Sequence, residues 1–380
     1  MTDDHSLKRH IDGEAARLLG KAIRERYPDF DVEGYAAEVD ARVGPLELKD
    51  RVMVMAESLR ARLPASYPDA VAVLVASLGE GLVEGGGMYG QGFHLMAVAR
   101  FVEEYGVAHP EASLPALVEI TRRHTSEFAV RPFLVHHREA TLALMRACAL
   151  DPDPNVRRFA GEGVRPRLPW ARRMTEFVTD PGPVLEILES LRNDPSAYVR
   201  TSVANNLNDV SRDHPDRVLD LAERWLRESP TPETAWTVRH ALRTLVKKGD
   251  QRALALLGAT GGEHVRAEAM GVSPAALDLG ETLTVRVDLV NADDRPHTVI
   301  VDYRVHYVRA DGTRRPKVFK WTTVELCAGE RRTLEKRHRV RPISTRVHHP
   351  GEHLVEVQVN GVIKGAVPFE LRVRPAGERP

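Results

Sequence analysis

One phrase recurs in this sequence and restricts the fold more than any other feature. Asp153-Pro154-Asn155-Val156-Arg157 is followed by Asp194-Pro195-Ser196-Ala197-Tyr198-Val199-Arg200 and then by Pro232-Glu233-Thr234-Ala235-Trp236-Thr237-Val238-Arg239. The closing arginines are 43 and 39 residues apart. Self-similarity at such a period means a stack of like units, each too small to bury its apolar face alone. Asp caps the orphan amides of a helix and Pro fits the first helical turn, so each phrase marks a helix start. The Val-Arg pair then sends one side chain inward and the next toward a surface shared by the units.

The spacing matches the roughly 40 to 47 residue period of HEAT-type helical repeats. From His5 to about Leu257 the apolar residues fall at helical spacing, as in Leu46 to Leu63, Tyr67 to Leu78, Leu114 to His124 and Arg138 to Leu150. Such an array is expected to curve and offer a concave side as a cradle for an extended ligand. Near Gly258 to Gly262 the period changes to two. Residues Thr282 to Val290, Thr298 to Tyr307 and His353 to Val359 alternate as strands do, separated by Asp293-Asp294, Asp311-Gly312, Ala328-Gly329, Pro350-Gly351 and Asn360-Gly361. About seven short strands in this length is immunoglobulin-like spacing. The expected architecture is mainly α: a HEAT-like α-solenoid over residues 1–260, followed by a small all-β immunoglobulin-like sandwich over residues 261–380.

Apolar residues make up 42% and charged residues 28% of the 380, ordinary globular usage that excludes disordered and fibrous classes. Cys148 and Cys327 are the only cysteines, which points to no disulfide framework and no cysteine zinc site. The polar start Met1 to His10 and the lack of long apolar runs point away from export and from the membrane, toward a cytoplasmic protein. The formal charge of zero hides an asymmetry. Between Arg304 and Arg346 there are 13 Lys/Arg against 4 Asp/Glu, a density that suits a polyanion, with a solvated structural surface as the alternative.

The most unusual stretch is Asn155 to Arg173, NVRRFAGEGVRPRLPWARR, in which Glu162 stands among arginines and two prolines force an irregular loop. A salt-bridged repeat junction is the bland reading. Glu127 in Ser126-Glu127-Phe128-Ala129-Val130-Arg131-Pro132-Phe133 and Asp209 in Asn205-Asn206-Leu207-Asn208-Asp209 sit comparably in neighbouring repeats. Singly, each acid reads as a solvated or capping group.

On Asp153 to Trp170 and Asn193 to Asp209 the chain resembles the AlkC-type DNA alkylation repair glycosylases, in the subgroup with a C-terminal immunoglobulin-like domain. The resemblance implies that Glu127, Glu162 and Asp209 line an active site and that Trp170 faces the lesion. It also implies hydrolysis of the N-glycosidic bond of cationic alkylated bases of the 3-methyladenine and 3-methylcytosine type, without full base flipping. No cofactor or metal is expected; the partner is double-stranded DNA containing alkylated bases, bound by a monomer. Arg157, Arg158, Arg165, Arg167 and Arg200 are expected on phosphates flanking the lesion, and a loop with Arg314, Arg315 and Lys317 on the opposite side of the duplex.

Other signals carry less. Gly85 to Gly92 lacks the ending of a phosphate-binding loop and reads as an interhelical connection, and the adjacent pairs His136-His137 and His348-His349 cannot converge on one metal. A non-catalytic helical-repeat scaffold and an accessory protein that binds alkylated DNA without cutting it are the rival functions.

Overall fold

The computed structural model describes residues 7–81, 92–343 and 346–373, so the connection expected at Gly85 to Gln91 lies outside the described residues. Sixteen α-helices and eight β-strands fill the described chain, all helices preceding all strands apart from short 3-10 turns. Two compact bodies result. The first comprises residues up to His214 with Arg224–Ala241; the second comprises Pro215–Glu223 with everything from Leu242 onward.

In the first body, three helices begin at the recurring phrase: Pro154–Gly163, Ala197–Val210 and Pro232–Ala241. The middle one packs against both others. Asp153 caps the first through the Asn155 amide, and Ser196 caps the second through the amides of Tyr198 and Val199. The phrase valines Val156, Val199 and Val238 are all fully buried. The neighbouring arginines fold back on their own helix starts. Arg157 Nη1 donates to the Asp151 and Pro152 carbonyls at 3.0 and 2.8 Å, and Arg200 Nη1 to those of Asp194 and Pro195 at 2.7 and 2.8 Å.

The same arginines also tie one repeat to the next. Arg157 grips Asp194 with Nε at 2.6 Å and Nη2 at 3.0 Å. One repeat earlier, Arg122 holds Asp151 in the same forked way, at 3.1 and 2.8 Å. Toward the third phrase the contact differs, the Arg200 guanidinium lying 5.9 Å from the Trp236 ring. Successive repeats are thus joined by two forked arginine-carboxylate contacts and one arginine-indole contact.

The second body is a two-sheet sandwich. Its strands are β1 (Val265–Ser273), β2 (Ala276–Asp278), β3 (Thr282–Asn291), β4 (His297–Val308), β5 (Arg314–Leu326), β6 (Arg331–Arg339), β7 (Gly351–Val359) and β8 (Val362–Arg372). One sheet has the order β1-β3-β6, the other β2-β8-β7-β4-β5, with only β2 and β8 parallel. Alternation in β3 places Leu283, Val285, Val287 and Leu289 in the core and Arg286 in solvent. The helices Arg243–Lys248 and Gln251–Leu256 group with this sandwich. Gly249 and Gly361, both left-handed, approach so closely that a Cβ on Gly361 would lie 2.1 Å from the Gly249 Cα.

Within the sandwich core, His338 lies between two phenols, with Tyr303 Oη 2.9 Å from Nδ1 and Tyr307 Oη 2.9 Å from Nε2. Burial, aided by Arg346, pushes its imidazole down to about 4. Among the described residues no helix is long and apolar enough to cross a membrane, and no group of three or more His, Cys, Asp or Glu side chains is arranged to hold a metal ion.

Candidate active site

The helix Pro154–Gly163 organises the site, because its pitch puts Arg158 and Glu162 on one face and delivers Arg165 one turn further on. That face meets the helix Ala197–Val210 closely. Asn206 Nδ2 donates to the Gly161 carbonyl at 2.8 Å, and a Cβ on Gly161 would meet Ser202 Oγ at 3.2 Å. Glu127 arrives from the connection that precedes the helix Arg131–His136, and Asp209 from the last turn of Ala197–Val210.

Five charges then alternate in one buried chain. Arg158 Nη1 donates to Glu127 Oε2 at 2.8 Å, and its Nη2 lies 3.7 Å from Glu162 Oε1. Arg165 Nη1 donates to that same Glu162 oxygen at 2.6 Å, while its Nε donates to Asp209 Oδ2 at 2.9 Å. Ser202 Oγ donates to the second Glu162 oxygen at 2.6 Å. Glu127, Glu162 and Asp209 are 3%, 5% and 4% exposed, so the cluster is shielded from bulk water. Among these five groups there is one more carboxylate than guanidinium.

Electrostatics follow from that shielding. Burial alone would pull both guanidiniums down, but Glu127 and Glu162 push Arg158 above its ordinary value, and Glu162 and Asp209 do the same for Arg165. Burial raises the Asp209 carboxyl, and Arg165 opposes the rise only in part. The Arg158 guanidinium also lies 5.0 Å from the Tyr198 ring.

Trp170 is 70% exposed and sits at φ +64°, an uncommon left-handed setting for a bulky residue. Lys49 Nζ donates to its carbonyl. Trp170 lines a cavity of about 700 Å³ together with Lys49, Met53, Thr125 and Phe128. Thr125 and Phe128 flank the Glu127 segment, which puts the cavity wall beside the acid cluster in sequence.

Both parts of the chain match known families. Residues 123–245 match the family described as DNA alkylation repair enzyme. Residues 266–373 match the family described as Uncharacterised protein YhaZ, C-terminal Ig-like domain. Uncharacterized protein YhaZ of Bacillus subtilis (strain 168) is 36% identical over 366 residues, covering 96% of this chain and 99% of the relative. The solved Pseudomonas fluorescens alkylpurine DNA glycosylase AlkC, bound to DNA containing an abasic site analog, superposes with a TM-score of 0.89 at 38% identity, covering 97% of this chain and 99% of that one. The chain belongs to the AlkC-type DNA alkylation repair glycosylases.

In this AlkC-type chain the cationic residues are not placed where the sequence suggested. Arg158 and Arg165, expected on phosphates, are 7% exposed each and serve as counter-ions of the three acids. Their i, i+4 and i, i+3 spacing about Glu162 was the readable signal for that role. Arg157 and Arg200 are half-buried at repeat junctions, and Arg167 forks onto Asp213 with Nη2 at 2.7 Å and Nε at 3.2 Å. The exposed cations of this stretch are Arg172 and Arg173, both lining the cavity. Nothing in their spacing distinguished them from the four arginines before them in that stretch.

The AlkC-type β-domain brings another correction. Arg314, Arg315 and Lys317 do not form a loop but open β5, where Arg314 pairs with Val308 and Lys317 with Val305 of β4. All three are exposed. Arg314 Nη2 reaches Glu352 at 2.7 Å, and Lys317 Nζ lies 5.3 Å from the Phe319 ring.

Proposed function

We propose that this protein hydrolyses the N-glycosidic bond of cationic alkylated bases, of the 3-methyladenine and 3-methylcytosine type, in double-stranded DNA, without fully extruding the base. The observation that carries this reading is the convergence of Glu127, Glu162 and Asp209, from three successive repeats, into one shielded cluster with two guanidiniums. The AlkC relative seen on DNA containing an abasic site analog supports the partner and the reaction class.

The chemistry suits the residues. An alkylated base that already bears a positive charge leaves without being protonated, so a general acid is not required. As the bond stretches, positive charge builds on the sugar, as in other glycoside hydrolyses. Carboxylates in a water-poor setting stabilise that charge far better than they would in bulk water. Glu162 is assigned to the sugar, held in place by Arg165 and Ser202. Asp209 is assigned to orienting the attacking water, since burial raises its carboxyl above the ordinary aspartate value and so makes it more basic. Glu127 assists through Arg158. The exposed indole of Trp170 faces the lesion, where contact with a cationic base contributes roughly 0.5 to 2 kcal/mol. Lys49, Arg172 and Arg173 take over the phosphate contacts first expected of buried arginines, and Arg314, Arg315 and Lys317 supply further ones. The reaction as written consumes only water.

The test incubates wild type, Glu162→Gln and Asp209→Asn with methylated duplex DNA and cleaves abasic sites with alkali. Wild type should yield strand breaks, and each variant should lose about a hundred- to a thousandfold in single-turnover rate. Binding without abasic product in wild type would instead make the protein an accessory factor, and equal rates in all three would remove the acids from the chemistry.

A further inference from the structure

Arg131 is buried, 6% exposed, and among the described residues it forms no ion pair. Its guanidinium donates to three main-chain carbonyls instead. Nη1 reaches Gly163 at 3.3 Å and Arg165 at 3.0 Å, and Nη2 reaches Arg172 at 2.6 Å. Gly163 and Arg165 stand at the entry of the irregular loop that follows the central helix, and Arg172 stands at its exit. One planar fork therefore closes both ends of that loop. Lesser ties complete it: the Met174 amide donates to the Pro166 carbonyl at 3.0 Å and the Ala171 amide to that of Leu168 at 3.2 Å.

Two groups depend on the closed loop. Arg165, whose own carbonyl Arg131 holds, reaches with its side chain between Glu162 and Asp209. Trp170, near the exit, keeps its left-handed backbone and its exposed ring. A left-handed backbone at a bulky residue is disfavoured and persists only where its surroundings enforce it. Burial lowers Arg131 to about 10, and the like charge of nearby Arg165 adds to the shift. That repulsion biases the Arg165 guanidinium toward its carboxylates. The clip needs several donors fixed in one plane, which arginine offers and lysine does not.

We propose that Arg131 is a positioning residue: by clipping both ends of the loop from Gly163 to Arg172, it sets Arg165 between the acids and presents Trp170. The kinetic consequence rests on the glycosylase reading above, whereas the structural consequence does not.

The experiment labels the full chain with 5-fluorotryptophan and follows its four tryptophans by fluorine NMR, with the Trp170 signal assigned by its loss in Trp170→Phe. Arg131→Lys and Arg131→Gln should shift or broaden the Trp170 signal and leave Trp225, Trp236 and Trp321 in place. The same variants should release methylated bases about ten- to a hundredfold more slowly under single turnover, at DNA-binding midpoints within twofold of wild type. Methylguanidine added to Arg131→Ala should restore part of both readouts. An unmoved Trp170 signal in Arg131→Lys overturns the proposal, as does disturbance of all four signals together, which would make Arg131 an ordinary core support. A selective Trp170 change in a protein whose wild type releases no base would sink the glycosylase reading and leave the positioning role standing.

Discussion

Replacing Arg165 with methionine probes the acid cluster without touching a carboxylate. Methionine fills similar space and carries no charge. The change removes the Nε contact at 2.9 Å from Asp209 and the Nη1 contact at 2.6 Å from Glu162. Glu162 retains Ser202 and, more distantly, Arg158. Among the described residues Asp209 makes no second ion pair. The lost attraction is about 4 kcal/mol for unit charges about 4 Å apart at an effective dielectric of about 20. Burial already raises the Asp209 carboxyl and Arg165 is the main opposing influence, so in the variant the carboxyl escapes its penalty by taking up a proton.

The sign of the pH dependence follows. A carboxyl that binds its proton more tightly when folded destabilises the protein increasingly as pH rises above its unfolded value of about 3.9, by about 1.4 kcal/mol per unit until the folded group ionises. At pH 5 the Asp209 contribution to the variant's deficit is therefore at most about 1.5 kcal/mol. At pH 7.5 the deficit approaches the about 3 to 5 kcal/mol typical of an orphaned buried charge. Urea unfolding followed by the helical circular dichroism signal, at pH 5, 6 and 7.5, measures the trend. Adding Asp209→Asn to the Arg165→Met background should return about 2 kcal/mol at pH 7.5 and little at pH 5. A deficit that does not vary with pH, or one that Asp209→Asn deepens, refutes this charge-balance reasoning.

Other predictions are independent of that one. Trp170→Ala should leave stability within about 0.5 kcal/mol, because the ring is exposed, and should weaken discrimination of methylated from plain duplex by about 0.5 to 2 kcal/mol in competition binding. Replacing Arg314, Arg315 and Lys317 together with alanine should make the log-log salt dependence of DNA affinity shallower by about 2 to 3, with an unchanged circular dichroism spectrum; an unchanged slope would remove β5 from DNA contact. His338 is neutral when buried, so its support is complete above an unfolded value near 6.5 and fades as pH falls toward 4. Hydrogen exchange of the sandwich strands should report a loss of about 2 kcal/mol from pH 7 to pH 5, and His338→Gln should flatten it.

The recurring phrase and the change of period near Gly258 were legible because each leaves a local signature: capping residues at fixed offsets, then alternation. Which partner each arginine takes was not, because those contacts cross about forty residues of chain. Arg157 finding Asp194 and Arg165 finding Asp209 depend on how helices stack, not on the turn that carries them. The comparable places of the three acids in neighbouring repeats grouped them, but only resemblance to a family implied an active site, since each alone reads as a cap or a solvated group. Arg131 went unremarked although it stands four residues after Glu127, because main-chain carbonyls, its partners, have no residue code. The Arg314 segment read as a loop because Pro316 and the preceding turn masked a strand start that the pairing with β4 overrides.

The contacts from Arg122 to Asp151 and from Arg157 to Asp194 also bear on how such a chain can change over time. Each unit carries the key for its successor's lock, so a whole unit can be gained or lost in register and the joint still fits. A few residues inserted within a unit would move the key and leave an acid stranded at the seam. Growth by complete modules is therefore open to this protein, and gradual lengthening of any one of them is not.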